Sequence, residues 1–210
     1  LPNLSLAALR VKLYDRVEQN YLLYPNSDTD RALNEALKVT NLFSGWSQGR
    51  TPAGFSVVNR VIYSKPSGML FPMKLYMDNR EIPKESITTL ANTEQKWIKG
   101  IGVRTRYWAP IGLNLFALYP SDKLGGRYLE MWGITEPAKL VNESDTATIA
   151  DELVDLVVEH AFMNMVVKEG GRVQSDAARL YKPWIQKVNA LRFWEAKINP
   201  SGKTEMQQVA

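Results

Sequence analysis

The hydrophobic period of this chain changes twice along its length, and each change restricts what can be built from it. Apolar residues recur at helical spacing up to about residue 50, alternate from Thr51 to about Glu143, and return to helical spacing afterwards. A helical stripe cannot lie flat in a half-buried sheet, and an alternating segment cannot present one face of a helix. The two ends, residues 1–50 and 145–196, are therefore expected to form a helical body. Residues 51–144 form a β-rich insertion, and residues 197–210 form a C-terminal tail. The fold class that follows is α+β, mainly α: a helical bundle of four main helices, an inserted antiparallel β-rich region and a flexible tail.

The first helix is predicted from about Ser5 to Asn20. Leu6, Leu9, Leu13 and Val17 make its apolar stripe and Ser5 its N-cap. Pro25 discourages helix through Tyr24. A second helix follows, capped at Ser27 or Asp28, with Leu33, Ala36, Leu37, Thr40 and Phe43 facing inward and Ser44-Gly45 ending it. The third is predicted from Thr146–Ile149 to about Glu169. Its inner face is Leu153, Leu156, Val157, His160, Met163 and Val167, and Gly170-Gly171 stops it. The fourth spans roughly Val173 to Ala196, with Pro183 as a kink or restart and Tyr181, Trp184, Val188 and Trp194 among its contact positions.

Between these, strands are predicted at Phe55–Tyr63, Met69–Met77, Arg104–Trp108, Leu113–Tyr119 and Tyr128–Ile134, connected as an antiparallel meander. Asp78-Asn79 reads as the turn into Glu81-Ile82, and Pro120 to Gly126 as a loop of strong turn formers. A short helix fits between Glu85 and Lys99. The segment after Lys197 lacks any period and cannot bury enough surface to fold alone.

Composition narrows the chemistry. The 210 residues are 45% hydrophobic and 23% charged, ordinary values for a soluble globular protein. No window approaches the roughly 18 apolar residues of a membrane span. The opening Leu1-Pro-Asn-Leu-Ser lacks the order of a secretory signal. With no cysteine there is no disulfide, thiolate metal site or Cys nucleophile, and a single histidine, His160, removes most zinc and triad chemistry. Residues 145–171 hold six acids and one base, whereas residues 172–210 hold seven bases and three acids. Such helices pair with each other or with neighbouring subunits, or simply present solvated faces.

Three features invite a chemical reading beside a structural one. His160 on an apolar stripe is either a satisfied core histidine or a proton-sensitive switch. Asp151, Glu152, Asp155 and Glu159 share a helix at spacings that include i to i+4, which suits paired-carboxylate hydrolysis or merely an acidic helix start. Arg104, Arg106, Tyr107 and Trp108 suit phosphate and base contacts, or an assembly interface. Gly100-Ile-Gly102 and Gly125-Gly126 precede no Lys-Ser/Thr helix and read as turns, not phosphate loops. No catalytic residue, cofactor or metal ligand is assigned.

Three stretches carry a family resemblance. One is Tyr24-Pro-Asn-Ser-Asp-Thr-Asp30 with Leu33-Asn-Glu-Ala-Leu37. Another is Leu115-Phe-Ala-Leu-Tyr-Pro120 followed by Arg127-Tyr-Leu-Glu-Met-Trp-Gly133 and Glu136-Pro137. The last is Ile149-Ala-Asp-Glu-Leu153 with the later Ala178-Arg-Leu-Tyr181. In this order they resemble the head-to-tail adaptor, or head completion, proteins of tailed bacteriophages.

The resemblance implies a non-enzymatic structural protein of the virion, present in host cytoplasm during assembly. Neighbouring subunits, usually twelve, form a ring that joins the portal protein to tail or nozzle proteins, with no membrane contact. The ring lines the DNA ejection channel. Trp194, Lys197, Ile198, Pro200, Lys203 and Met206 would bind the portal, and Arg104 and Arg106 would face DNA in transient, non-specific contact. The alternatives from other classes are a virion-associated cell-wall hydrolase using the third-helix acids and a DNA-binding accessory protein.

Overall fold

A computed structural model describes residues 5–17, 24–93, 97–169 and 181–190. The chain divides into two compact units, residues 1–46 with 137–210, and residues 47–136.

The helical unit begins with α1 (Leu6–Arg16), where the Ser5 hydroxyl accepts the Ala8 N–H at 3.2 Å and Leu6, Leu9, Leu13 and Tyr14 are buried. This is shorter than the predicted helix, whose last residues lie outside the described ones. Next comes α2 (Asn26–Ser44), which starts ahead of the expected Ser27 or Asp28 cap. The helix has no side-chain cap; the Pro25 carbonyl takes the N–H groups of Asp28 and Thr29 instead. Proline suits this place because its own lack of an N–H costs nothing at a helix start. At the other end Gly45, at φ 70°, adopts the left-handed conformation that glycine tolerates, and its N–H reaches the Asn41 carbonyl at 2.8 Å.

The motif between these helices is a fastening. Asp30 takes a two-pronged contact from Arg10, Nε at 2.6 Å and Nη2 at 2.7 Å, and the Tyr14 hydroxyl donates to Asn26 Oδ1 at 2.8 Å. Asp30 raises the Arg10 pKa further above its already high ordinary value. Arg10 also reaches Glu143, and Asn34 bonds both the N–H and the carbonyl of Leu140, so the two distant chain segments of this unit are stitched together.

At the centre of the unit lies α4 (Asp151–Glu169), which starts after the predicted Thr146–Ile149. Leu153, Leu156, Val157, His160 and Met163 are buried as the pattern suggested, but so are Val154, Val158, Ala161 and Met165. A helix buried around most of its circumference is packed on several sides, here by α1, α2 and α5 (residues 181–190). In α5, Trp184 and Val188 are buried and the Trp184 indole donates to the Leu156 carbonyl at 2.9 Å. The rest of the predicted fourth helix lies outside the described residues.

In the β-rich unit, β1 (Gln48–Phe55), β2 (Ile62–Ser64), β3 (Met69–Met77) and β4 (Arg80–Ile82) precede the short α3 (Ile87–Thr93) and a 3-10 turn at Trp97–Lys99. Then follow β5 (Ile101–Gly102), β6 (Tyr107–Ile111), β7 (Leu115–Tyr119), β8 (Ser121–Asp122) and β9 (Tyr128–Thr135). One sheet has the order β1-β9-β3-β4 and a second β2-β7-β6, while β5 and β8 form a small parallel pair. Side chains of the two larger sheets meet in one core around Tyr63, Met69, Leu75, Trp108, Phe116, Leu118, Leu129 and Met131.

Several expectations are corrected. The chain is not mainly α and not a four-helix bundle: nine strands stand beside five helices among the described residues, and one of those helices belongs to the β-rich unit. Strands of two or three residues are too short to show a period, so the pattern undercounts them. The antiparallel order is no meander either, since β9, last in the chain, lies between β1 and β3 and only β3–β4 and β6–β7 are sequential pairs. The predicted Phe55–Tyr63 strand breaks where Ser56 turns inward to hydrogen-bond Asp122 at 2.7 Å and Asn59 takes a left-handed φ of 57°. Asp78 and Asn79, at φ 49° and 63°, make the predicted tight turn between β3 and β4.

Candidate functional site, a basic groove in the β-rich unit

Arg104 and Arg106 lie in the loop from β5 to β6, not on a strand; the strand begins at Tyr107. They are joined by Arg80, the first residue of β4, along a groove of about 760 Å³. Pro83, Ile101, Val103, Tyr107 and Tyr119 supply much of the remaining wall, and among the described residues no carboxylate lines it. All three arginines are exposed, and among the described residues none of their side chains has a hydrogen-bond or ion-pair partner. Sequence reasoning named two of the three. Arg80 is distant in sequence, although the legible Asp78-Asn79 turn fixes where its strand starts.

The loop carrying Arg104 and Arg106 is held on both flanks. Ser121 donates its N–H and its hydroxyl to the Gly100 carbonyl at 2.8 and 3.0 Å, and the Lys123 N–H reaches Gly102 at 2.9 Å. Further on, the Thr105 hydroxyl donates to the Pro120 carbonyl and the Arg106 N–H to that of Tyr119. Arg127 adds an Nη2 contact to the Val103 carbonyl at 2.8 Å. Gly100 and Gly102 permit this approach: an added Cβ would stand 2.6 Å from Tyr119 Cε2 at the first and 2.7 Å from Pro120 Cγ at the second. Gly100-Ile-Gly102 is thus a close strand contact and not the predicted turn.

Behind the loop Asp122 is fully buried. Burial alone raises its pKa, but hydrogen bonds from Ser56 and the Leu124 N–H, with Arg127 nearby, more than reverse that and leave it below its ordinary value. A buried carboxylate so satisfied ties the two loops on either side of it to each other.

The other candidates lie on α4. On α4, Asp151, Glu152 and Asp155 are exposed, Asp155 lies 3.8 Å from Lys12, and Glu159 pairs with Lys187 at 2.7 Å. That last pair joins the acidic and basic helices as their opposite charges suggested. His160 is 4% exposed, its ring beside Trp184 at 4.8 Å and Tyr181 at 5.6 Å. The Asn164 amide nitrogen is 3.3 Å from His160 Nδ1, and Tyr181 donates to the Asn164 oxygen at 2.7 Å. Burial lowers the His160 pKa, while Glu35 pulls weakly the other way. It is a satisfied core histidine.

Among the described residues no cluster of His, Cys, Asp and Glu is arranged to hold a metal ion, and no helix is long and apolar enough to cross a membrane. Trp194, Lys197, Ile198, Pro200, Lys203 and Met206 lie outside the described residues. Neither any known protein family nor any curated protein matches the chain.

Proposed function

We propose that this chain is a structural subunit of a tailed-phage virion, an adaptor that joins the portal to the tail within a ring of like subunits. The observation that carries the reading is the surface of the β-rich unit. Phe55, Phe71, Ile101, Val103, Leu113 and Leu124 are all exposed there, Leu113 at 86% and Phe55 at 63%. Single exposed apolar residues are ordinary, but this many within one unit suit a surface that other subunits cover. The Arg10–Asp30 fastening adds support, because it gives the sequence phrase shared with adaptors a physical task in this chain.

In this role residues 197–210 reach the portal, the β-rich unit meets ring neighbours or tail components, and DNA passes through the lumen. A ring subunit touches its two neighbours through different surfaces, a heterologous contact that closes by rotation. The test is to mix purified chain with portal rings of the same virus and follow mass and negative-stain images. A stoichiometric ring beneath the portal, lost when residues 197–210 are deleted, is the expected result. Failure to associate, with or without those residues, sinks the reading; a monomer in solution without portal does not.

A further inference from the structure

We infer that the Arg80–Arg104–Arg106 groove is a docking site for an acidic segment of another protein, one that carries apolar side chains beside its carboxylates. Three arginines line one concavity with no acid among the described residues of its wall. Exposed guanidinium groups that serve only solubility need no shared recess; these three have one, and its backbone is held by paired hydrogen bonds and two glycine close approaches. Preorganisation of this kind lowers the ordering cost of binding. Planar guanidinium forks match carboxylates and phosphates alike, so the rest of the groove decides between them.

Two observations favour a protein carboxylate over nucleic acid. The volume, about 760 Å³, falls in the range of about 300–1,000 Å³ typical of sites that enclose a small ligand or a few residues of chain, not a duplex. Apolar side chains also flank the cations: Ile101, 55% exposed, and Val103, 59% exposed, precede Arg104 and Arg106 in the chain, and Tyr107 follows them with an aromatic edge. A phosphodiester backbone has no use for exposed Ile and Val, whereas arginine beside aromatic and aliphatic groups is the composition of a protein interface. The occupant therefore sets acidic groups on the arginines and apolar ones on Ile101, Val103 and Tyr107.

The experiment uses the full chain and a labelled peptide of alternating glutamate and leucine, with its glutamine counterpart, a single-stranded oligonucleotide and inorganic phosphate as competitors. The glutamate peptide is expected to bind at least about tenfold more tightly than the glutamine one, since hydrogen bonds to a charged group are stronger than those to a neutral amide. The double substitution Arg104→Gln with Arg106→Gln should remove that advantage. Arg104→Lys with Arg106→Lys should restore it only in part, because lysine lacks the fork. Val103→Ser should weaken binding several-fold, and Lys139→Gln, an exposed charge removed elsewhere, should not. Four results overturn the inference: equal binding of both peptides, no binding of either, equal loss in the Lys139 variant, or an oligonucleotide that competes and binds regardless of Val103→Ser. The site stands on the groove alone, and the titration needs no portal, so its failure and that of the adaptor reading are separate outcomes.

Discussion

The two units treat their surfaces differently. In the helical unit cations find acids on other elements: Arg10 with Asp30 and Glu143, Lys12 with Asp155, and Lys187 with Glu159. Its exposed large apolar side chains are fewer among the described residues, with Leu42, Phe43 and Trp46 grouped about the end of α2 and Val11 and Val141 standing apart in the chain. The β-rich unit also has paired charges, Lys74 with Glu81 and Arg50 with Glu130. Yet it leaves three arginines unmatched in one groove and exposes most of the large apolar residues that the described surface shows. A scaffold gains from pairing its charges, whereas a contact surface keeps some uncommitted until a partner arrives. The contrast teaches that, among the described residues, exposed apolar and unpaired basic surface is concentrated in the β-rich unit.

The interiors differ too, and that contrast can be broken by substitution. The largest effect is expected for Trp184→Ala, which removes a buried indole and its bond to Leu156; such changes cost about 3–5 kcal/mol. Urea unfolding gives the loss, and hydrogen exchange should show it on α4 while β3 and β9 keep their protection. Equal loss of protection on both would mean that the units do not unfold separately.

Next comes Asp122→Ala, which strands the Ser56 hydroxyl and leaves Arg127 without its acid, at a cost of about 2–3 kcal/mol confined to the β-rich unit. Gly100→Ala drives a methyl into Tyr119 and should cost about 1–3 kcal/mol, loosening the loop that presents Arg104 and Arg106. A drop in stability with unchanged exchange at Ile101–Arg106 would show that the loop is not clamped there.

Acid should separate the units by a smaller effect. Burial holds the His160 pKa below its ordinary 6.5, so its contribution is complete above that value. That contribution is lost as pH falls through 6.5 towards the folded pKa, because the unfolded chain takes up the proton first. Asp122, also depressed, keeps its contribution above its ordinary 3.8 and loses it as pH falls below. Exchange protection should therefore decline in α4 as pH falls below 6.5 and hold in β8 and β9 until pH falls below 3.8, and His160→Gln should flatten the first decline. Simultaneous loss in both units would contradict these assignments. The smallest change is Lys187→Ala: exposed pairs are worth about 0.2–1 kcal/mol, so a larger loss would mean the pair orders α5.

Legibility followed the length of each pattern. The α2 stripe from Leu33 to Thr40 (though not Phe43, which is exposed), the Gly45 stop, the Asp78-Asn79 turn and the β3 and β9 strands are legible because each is local and long enough to repeat or chemically distinct. The mainly-α expectation failed where strands of two or three residues, such as β2, β5 and β8, carry no period. α4 was read as one-faced because a helix packed on several sides has no single stripe to count. Arg104 and Arg106 were noticed from their alternation with aromatics, a signal that put them on a strand; their real setting is a loop, and nothing local pointed to Arg80.

The sequence by itself determined roughly where the chain changes from helix to strand and back, which face of α1 is apolar, and that no cysteine chemistry exists. These are properties of neighbouring residues, and short-range sterics and periodicity express them directly. Only the tertiary structure decided that β9 lies between β1 and β3, that Asp122 is buried against Ser56, and that Arg80 lines the same groove as Arg104 and Arg106. Each of these joins residues far apart in the chain, and such pairings are chosen by the burial of whole faces together. No local run of residues carries that information.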